Sequence, residues 1–137
     1  MTDPNLRTVQ LTWHSGLLFH GGPEGVPAVP VDGDASAGPG PMHSLLLAVG
    51  ACSGADVVSI LKKMQVELTR CDIEVTGRRA PEHPKRYLEI RLRFRIAGAG
   101  ADEAKARRAI DLSLEKYCSV IHSLNPDIPV SYDLVLD

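Results

Sequence analysis

The stretch that decides the fold is "GPGPMHSLLLAVGACSGADVVSILKKMQ", residues 38–65. Pro41 suits the first turn of a helix, where its missing N–H costs nothing. Leu45, Leu46, Val49, Val57, Ile60, Leu61 and Met64 then recur at spacings of three and four, the signature of one helical face. Lys62 and Lys63 close the run where cations favour the helix dipole. The spacing predicts a single helix from Pro41 to about Gln65. Its first half, "LLLAVGAC" (45–52), is apolar all round and is therefore expected to be covered all round. That run is too short to span a bilayer.

Working outward, "RTVQLTW" (7–13) alternates Val9, Leu11 and Trp13 with Thr8, Gln10 and Thr12, as a half-buried strand does. "GLLFHGG" (16–22) and "VPAVPVDG" (26–33) read as two more short strands, and Pro27 and Pro30 push the second to a sheet edge. "GDASAGPGPM" (33–42) is a loop. Beyond the helix, Cys71, Ile73 and Val75 share one face of a strand over 69–79. Over 85–97, Leu88, Ile90, Leu92, Phe94 and Ile96 point inward, and Tyr87, Glu89, Arg91, Arg93 and Arg95 point outward. "APEHP" (80–84) joins the two as a hairpin. Residues 102 to about 117 read as an amphipathic helix with Asp102 and Glu103 in its first turn. Pro126 and Pro129 interrupt the chain beyond that helix, and "VSYDLVLD" (130–137) closes it as a strand with Val130, Tyr132, Leu134 and Leu136 inward. This order predicts a single α+β domain over residues 1–137, with antiparallel sheets and segregated helices. A long helix that needs cover on every side predicts a homodimer.

The totals narrow the function. The 137 residues are 44% hydrophobic with a formal net charge of −2, so no global field draws the chain to nucleic acid or to an anionic membrane. The opening "MTDPNLRTVQ" lacks a basic-then-apolar signal pattern, and a cytoplasmic protein is expected. Cys52, Cys71 and Cys118 are odd in number and widely spaced, unlike a secreted disulfide framework, and no CxxC occurs.

Each cysteine has a plain reading and a chemical one. Cys71 falls on a strand's inward face, where cysteine packs as a small hydrophobe. Cys52 sits between Gly50 and Gly54. Glycine inside a helix costs roughly 1 kcal/mol against alanine, so something approaches the backbone closely there, either another helix or a small ligand. Spacing alone leaves Cys52 as a small residue at a crossing or as a reactive thiol. Asp56, at i+4, shares its face and would hold a hydrogen bond or a cation. Cys118 and His122 share a face if the second helix continues through them, and a protonated imidazole lowers a neighbouring thiol pKa. His14, His20 and His43 show no metal-ligand spacing, and neither metal nor cofactor is expected. Arg91, Arg93 and Arg95 face a strand carrying Asp72 and Glu74, which predicts cross-strand ion pairs rather than a nucleic-acid surface.

The quoted helix, together with "AIDLSLEKYCSV" (109–120), resembles the OsmC/Ohr family, named for osmotically inducible protein C and the organic hydroperoxide resistance proteins, and in particular its OsmC-like branch. The resemblance covers nearly the whole chain. It implies an intertwined homodimer whose sheets wrap the long central helices, with sites at the subunit interface. It also implies that Cys52 attacks an organic hydroperoxide and that Cys118 resolves the sulfenic acid to a disulfide, which an external dithiol reduces. Leu45, Leu46 and Val49 would offer an alkyl peroxide an apolar wall. Asp56, His43 and His122 are the candidate supporting residues. The family's peroxidases carry a glutamate at the start of the buried helix and an arginine in the N-terminal strands. Here the helix start reads Met42–His43–Ser44, and the N-terminal region holds only Arg7. The same scaffold without turnover would be a binding protein for a small hydrophobic ligand, or a redox sensor.

Overall fold

The computed structural model describes residues 3–137. Its elements are β1 (Gln10–Ser15), β2 (Leu18–Gly22), β3 (Val29–Asp32), α1 (Pro41–Lys63), β4 (Glu67–Arg79), β5 (Tyr87–Ala99), α2 (Glu103–Leu112), a π-turn (Ser113–Tyr117), α3 (Ser119–His122) and β6 (Val130–Leu136). The chain divides after Leu45 into two compact units.

In the first unit, β1, β2 and β3 form an antiparallel meander with Trp13 opposite Phe19 and His20 opposite Pro30. The β1–β2 turn places Gly16 at φ 53°, a left-handed conformation that suits glycine. Trp13 Nε1–H closes that turn on the Gly16 carbonyl at 2.9 Å. Proline-bearing β3 is an edge strand, as Pro30 requires. The expected half-burial of β1 does not hold within one chain, where Leu11 is 60% and Trp13 62% exposed.

In the second unit, β4–β5–β6 form the main sheet. β4 and β5 pair antiparallel, with Ile73 opposite Phe94 and Val75 opposite Leu92. β6 pairs with β5 in parallel, with Leu92 opposite Tyr132. This corrects the expectation of purely antiparallel sheets. The helical segment between β5 and β6 carries the chain back to the end where β5 began, as a crossover must. Ile90, Leu92, Phe94 and Ile96 of β5 are buried with Val49, Val57 and Leu61 of α1 and Ala106, Ala109 and Ile110 of α2. Each large apolar side chain so buried stabilises the fold by about 1.5–3 kcal/mol.

Two inward assignments are exchanged. Arg78 pairs with Glu89 and Arg79 with Tyr87, so Leu88 is the extra residue of a β-bulge. The bulge turns Tyr87 inward, at 5% exposure, and Leu88 outward, at 40%. The Tyr87 ring lies over Gly77, where an added Cβ would come within 2.5 Å of it.

On the outer sheet face, Arg91 meets Asp133 at 2.7 Å and Arg95 meets Asp137 at 2.6 Å. Arg78 pairs with Glu89. Arg91 and Arg95 thus pair with the closing segment of the chain rather than with the expected Asp72 and Glu74 of β4, and such exposed ion pairs are each worth little.

By length and composition alone α1 could cross a membrane. Within one chain its buried side is formed by Val49, Gly50, Ser53, Gly54, Val57 and Leu61. Leu47 is 60% and Val58 43% exposed, and Ala51 and Ala55 continue this open stripe.

Candidate active site

The glycines beside Cys52 are explained by β4. A Cβ on Gly50 would lie 2.9 Å from Val75 Cγ2, and one on Gly54 would lie 2.7 Å from Ile73 Cδ1. Strand side chains, rather than a second helix or a ligand, make the close approach. With Gly50, Ser53, Gly54 and Val57 turned inward, helical geometry sets Cys52 on the flank of α1, half-buried.

Cys118 reaches the same place from the other side. Asp102 caps α2 by accepting the Lys105 N–H at 2.8 Å, and acidic N-caps stabilise helix starts. The expected helix to about residue 117 stops being α-helical at Leu112. The Cys118 N–H donates to the Ser113 carbonyl at 2.8 Å, a bond spanning five residues. Such π-turns are rare and concentrate at functional sites. Cys118 itself is extended, with φ −72° and ψ 99°, and α3 starts after it. The helical premise that placed His122 and Cys118 on one face therefore fails. His122 is exposed on α3 and is tied to Cys118 only through its backbone N–H, at 3.1 Å from the Cys118 carbonyl.

The Cys118 side chain is fully buried. Burial pushes its pKa up to about 11, opposed by the nearby backbone N–H groups of Ile121 and Val120 at the start of α3. The neighbouring Cys52 thiol pushes in the same direction as burial. At neutral pH Cys118 is therefore a protonated thiol in contact with Cys52. Neither is bridged, and both are free cysteines.

Beneath the pair lies a buried polar cluster. Ser113 Oγ is 3.0 Å from Ser53 Oγ and 2.9 Å from Asp56 Oδ2. The carboxylate can only accept, so Ser113 donates its single proton to Asp56 and accepts from Ser53. Asp56 thus holds a hydrogen bond, one of the two roles its spacing allowed. Ser53 and Ser113 are both fully buried. Reasoning from the cysteines missed them, yet a signal was there. Ser53 falls on the buried stripe of α1 with Val49, Gly50 and Val57, and Ser113 continues that of α2 with Ala106, Ala109 and Ile110. A serine in a core stripe demands a polar partner.

The other candidates lie apart. His43 Nδ1 accepts the Gly40 N–H at 3.2 Å, at the start of α1. It sits nine residues before Cys52, on the opposite helical face. His14 and His20 stack edge-to-face in the first unit's sheet, 5.3 Å between ring centres. Cys71 pairs across the sheet with Ile96. Burial, and the charge of Asp72 beside it, push its thiol pKa up. Among the described residues, no three His, Cys, Asp or Glu side chains gather as metal ligands.

Known proteins resemble this chain along nearly its whole length. The profile described as OsmC-like protein matches residues 32–133. Protein YhfA of Escherichia coli K12 is 36% identical over 129 residues, 92% of this chain and 96% of that protein. A hypothetical protein of Aquifex aeolicus VF5 superposes with a TM-score of 0.84 at 30% identity, covering 97% of this chain and 98% of its own. The organic hydroperoxide resistance protein OhrB of Bacillus subtilis shares the fold at a TM-score of 0.62 and 18% identity, over 94% of this chain and 98% of its own.

Proposed function

The chain belongs to the OsmC-like protein family, and on that premise we propose that it reduces organic hydroperoxides with the Cys52–Cys118 thiol pair. The observation that carries this reading is the nearness of Cys52, half-buried on α1, and Cys118, fully buried at the start of α3, which are close enough for one thiol to bear on the other's proton. In the first step the Cys52 thiolate attacks the distal peroxide oxygen. The O–O bond breaks, the alkoxide takes a proton and leaves as alcohol, and Cys52 becomes a sulfenic acid. Cys118 then attacks the Cys52 sulfur. An S–S bond forms, and the sulfenic hydroxyl leaves with the Cys118 proton as water. A soluble dithiol returns both sulfurs to thiols and becomes a disulfide itself. Because Cys118 keeps its proton at neutral pH, it can donate a hydrogen bond to the Cys52 thiolate until its turn comes.

The proposed assembly is a cytoplasmic homodimer of one OsmC-like domain per chain, over residues 1–137. In support, Leu11, Trp13 and Val29 of the first unit and Leu47 and Val58 of α1 leave large apolar surface open in a single chain, and such surface marks interfaces. The test is peroxide consumption by the reduced protein with cumene hydroperoxide and a dithiol. Cys52→Ser is expected to abolish it, and Cys118→Ser to stop it after one turnover. A freshly reduced wild-type protein that consumes no hydroperoxide removes the proposal.

One observation favours a second reading, that of a non-catalytic receptor for a small apolar molecule. Arg7, the one arginine before α1, donates to the carbonyls of Pro4 and Leu6, and the first turn of α1 lacks an acid. That reading predicts ligand-dependent thermal stabilisation that survives Cys52→Ser.

A further inference from the structure

Resting on the thiol-pair reading, we infer that Ser113 is the positioning residue of the pair: its side chain is fastened to α1 through Asp56 and Ser53, and its main chain is fastened to Cys118. Each end of that tie is short. The hydroxyl lies 2.9 Å from Asp56 Oδ2 and 3.0 Å from Ser53 Oγ, and the carbonyl accepts the Cys118 N–H at 2.8 Å. Ser53 is the residue next to Cys52, and Asp56 lies one helical turn beyond it. A single residue therefore connects the segments that carry the two sulfurs.

Helix geometry alone would not set this arrangement. Continuing α2 as an α-helix would bond the Cys118 N–H to residue 114, four back, and would put the sulfur elsewhere. The π-turn moves that bond to Ser113, and the fully buried hydroxyl cluster fixes where the turn begins. Buried polar clusters are costly unless every member is partnered, and then they specify one arrangement. The described residues leave no buried side-chain polar atom without a partner.

The experiment measures how readily the two thiols close into a bridge, with no peroxide present. Protein carrying Cys71→Ser is equilibrated with reduced and oxidised glutathione. Closing the bridge removes two protons and two electrons from Cys52 and Cys118, and one glutathione disulfide takes them up as two glutathione thiols. The bridged fraction gives the effective molarity of the pair. Ser113→Ala is expected to lower it about tenfold, the equivalent of one lost hydrogen bond. Asp56→Ala is expected to do the same. Asp56→Asn, which still accepts from Ser113, is expected to stay within about threefold of wild type. If Ser113→Ala does not fold, judged by its thermal transition, the contrast between Asp56→Ala and Asp56→Asn decides. Folded Ser113→Ala protein with wild-type effective molarity overturns the inference, as does Asp56→Asn behaving like Asp56→Ala. A wild-type chain that forms no Cys52–Cys118 bridge in this buffer overturns the thiol-pair reading itself.

Discussion

Val75 Cγ2 lies 2.9 Å from where a Cβ on Gly50 would stand, and Ile73 Cδ1 lies 2.7 Å from the same point on Gly54. The two contacts look alike, but they differ in how they can yield. Cδ1 is the far end of the isoleucine and can swing about its last torsion. Valine has only χ1, and a β-branched side chain is stiff there.

Replacing each glycine by alanine should therefore separate the two positions. Both substitutions gain roughly 1 kcal/mol of helix propensity. Gly54→Ala is expected to be near neutral, because Ile73 can move aside. Gly50→Ala is expected to lose about 1–2 kcal/mol net as Val75 is forced off its rotamer or α1 is lifted from β4. Urea unfolding measures both, and equal stabilities for the two variants would contradict this account of the helix–strand packing.

Cys118 gives a prediction in the alkaline range. Its pKa is raised to about 11 in the folded chain, chiefly by burial. Below about pH 8.5, the ordinary thiol value, folded and unfolded states both hold the proton, and stability does not depend on this group. As pH rises from there towards 11, the unfolded state releases its proton first, so the folded state loses stability. Above 11 both are ionised and the loss is complete. Thermal midpoints from pH 7 to 11 should fall more steeply for wild type than for Cys118→Ala. Parallel curves would mean that the thiol is not buried in the folded protein.

Asp32 gives the opposite limb. Hydrogen bonds from the Ala37 and Asp34 backbone N–H groups, aided by Ser36, hold its carboxyl below the ordinary carboxylate value. This buried side chain organises the loop that leads into α1, accepting from Asp34 at 2.9 Å and from Ala37 at 3.0 Å. Its contribution is present above about pH 4 and is lost as pH falls through the lowered pKa. Asp32→Asn is expected to destabilise the protein at pH 7 and to make its midpoint less sensitive to acid. The gap between the two proteins should narrow as pH falls through that lowered pKa, and a gap that stays constant on acidification would exclude the ionised carboxylate as the cause.

Sequence periodicity revealed α1 and the β4–β5 hairpin because those elements are long and their apolar spacing is regular. It left Cys52 and Cys118 open between packing and chemistry, and only the OsmC/Ohr resemblance singled them out as a pair. Periodicity could not give the direction of β6. An alternating strand looks the same parallel or antiparallel, and the intervening crossover decides. Nor could it give the π-turn, since a bond from Cys118 to Ser113 leaves no residue signature. The exposed faces of β1 and α1 carry ordinary core patterns, and nothing in a pattern says which layer will cover it.

The exchange at the β4–β5 bulge makes the sharpest test of pattern against structure. Alternation alone puts Leu88 inside with Ile90 and Leu92, and puts Tyr87 outside with Glu89. On that reading Leu88→Ala would be costly and Tyr87→Ala mild. The bulge reverses the pair, because Arg79 pairs with Tyr87 and skips Leu88. Tyr87 then buries its ring over Gly77, where a Cβ would come within 2.5 Å of it. Tyr87→Ala is expected to cost about 3 kcal/mol, as truncation of a buried aromatic does. Leu88→Ala, at a position 40% exposed, is expected to cost no more than about 1 kcal/mol. Denaturant unfolding of the two variants settles the order, and Leu88→Ala proving the more destabilising would place the bulge elsewhere in the hairpin.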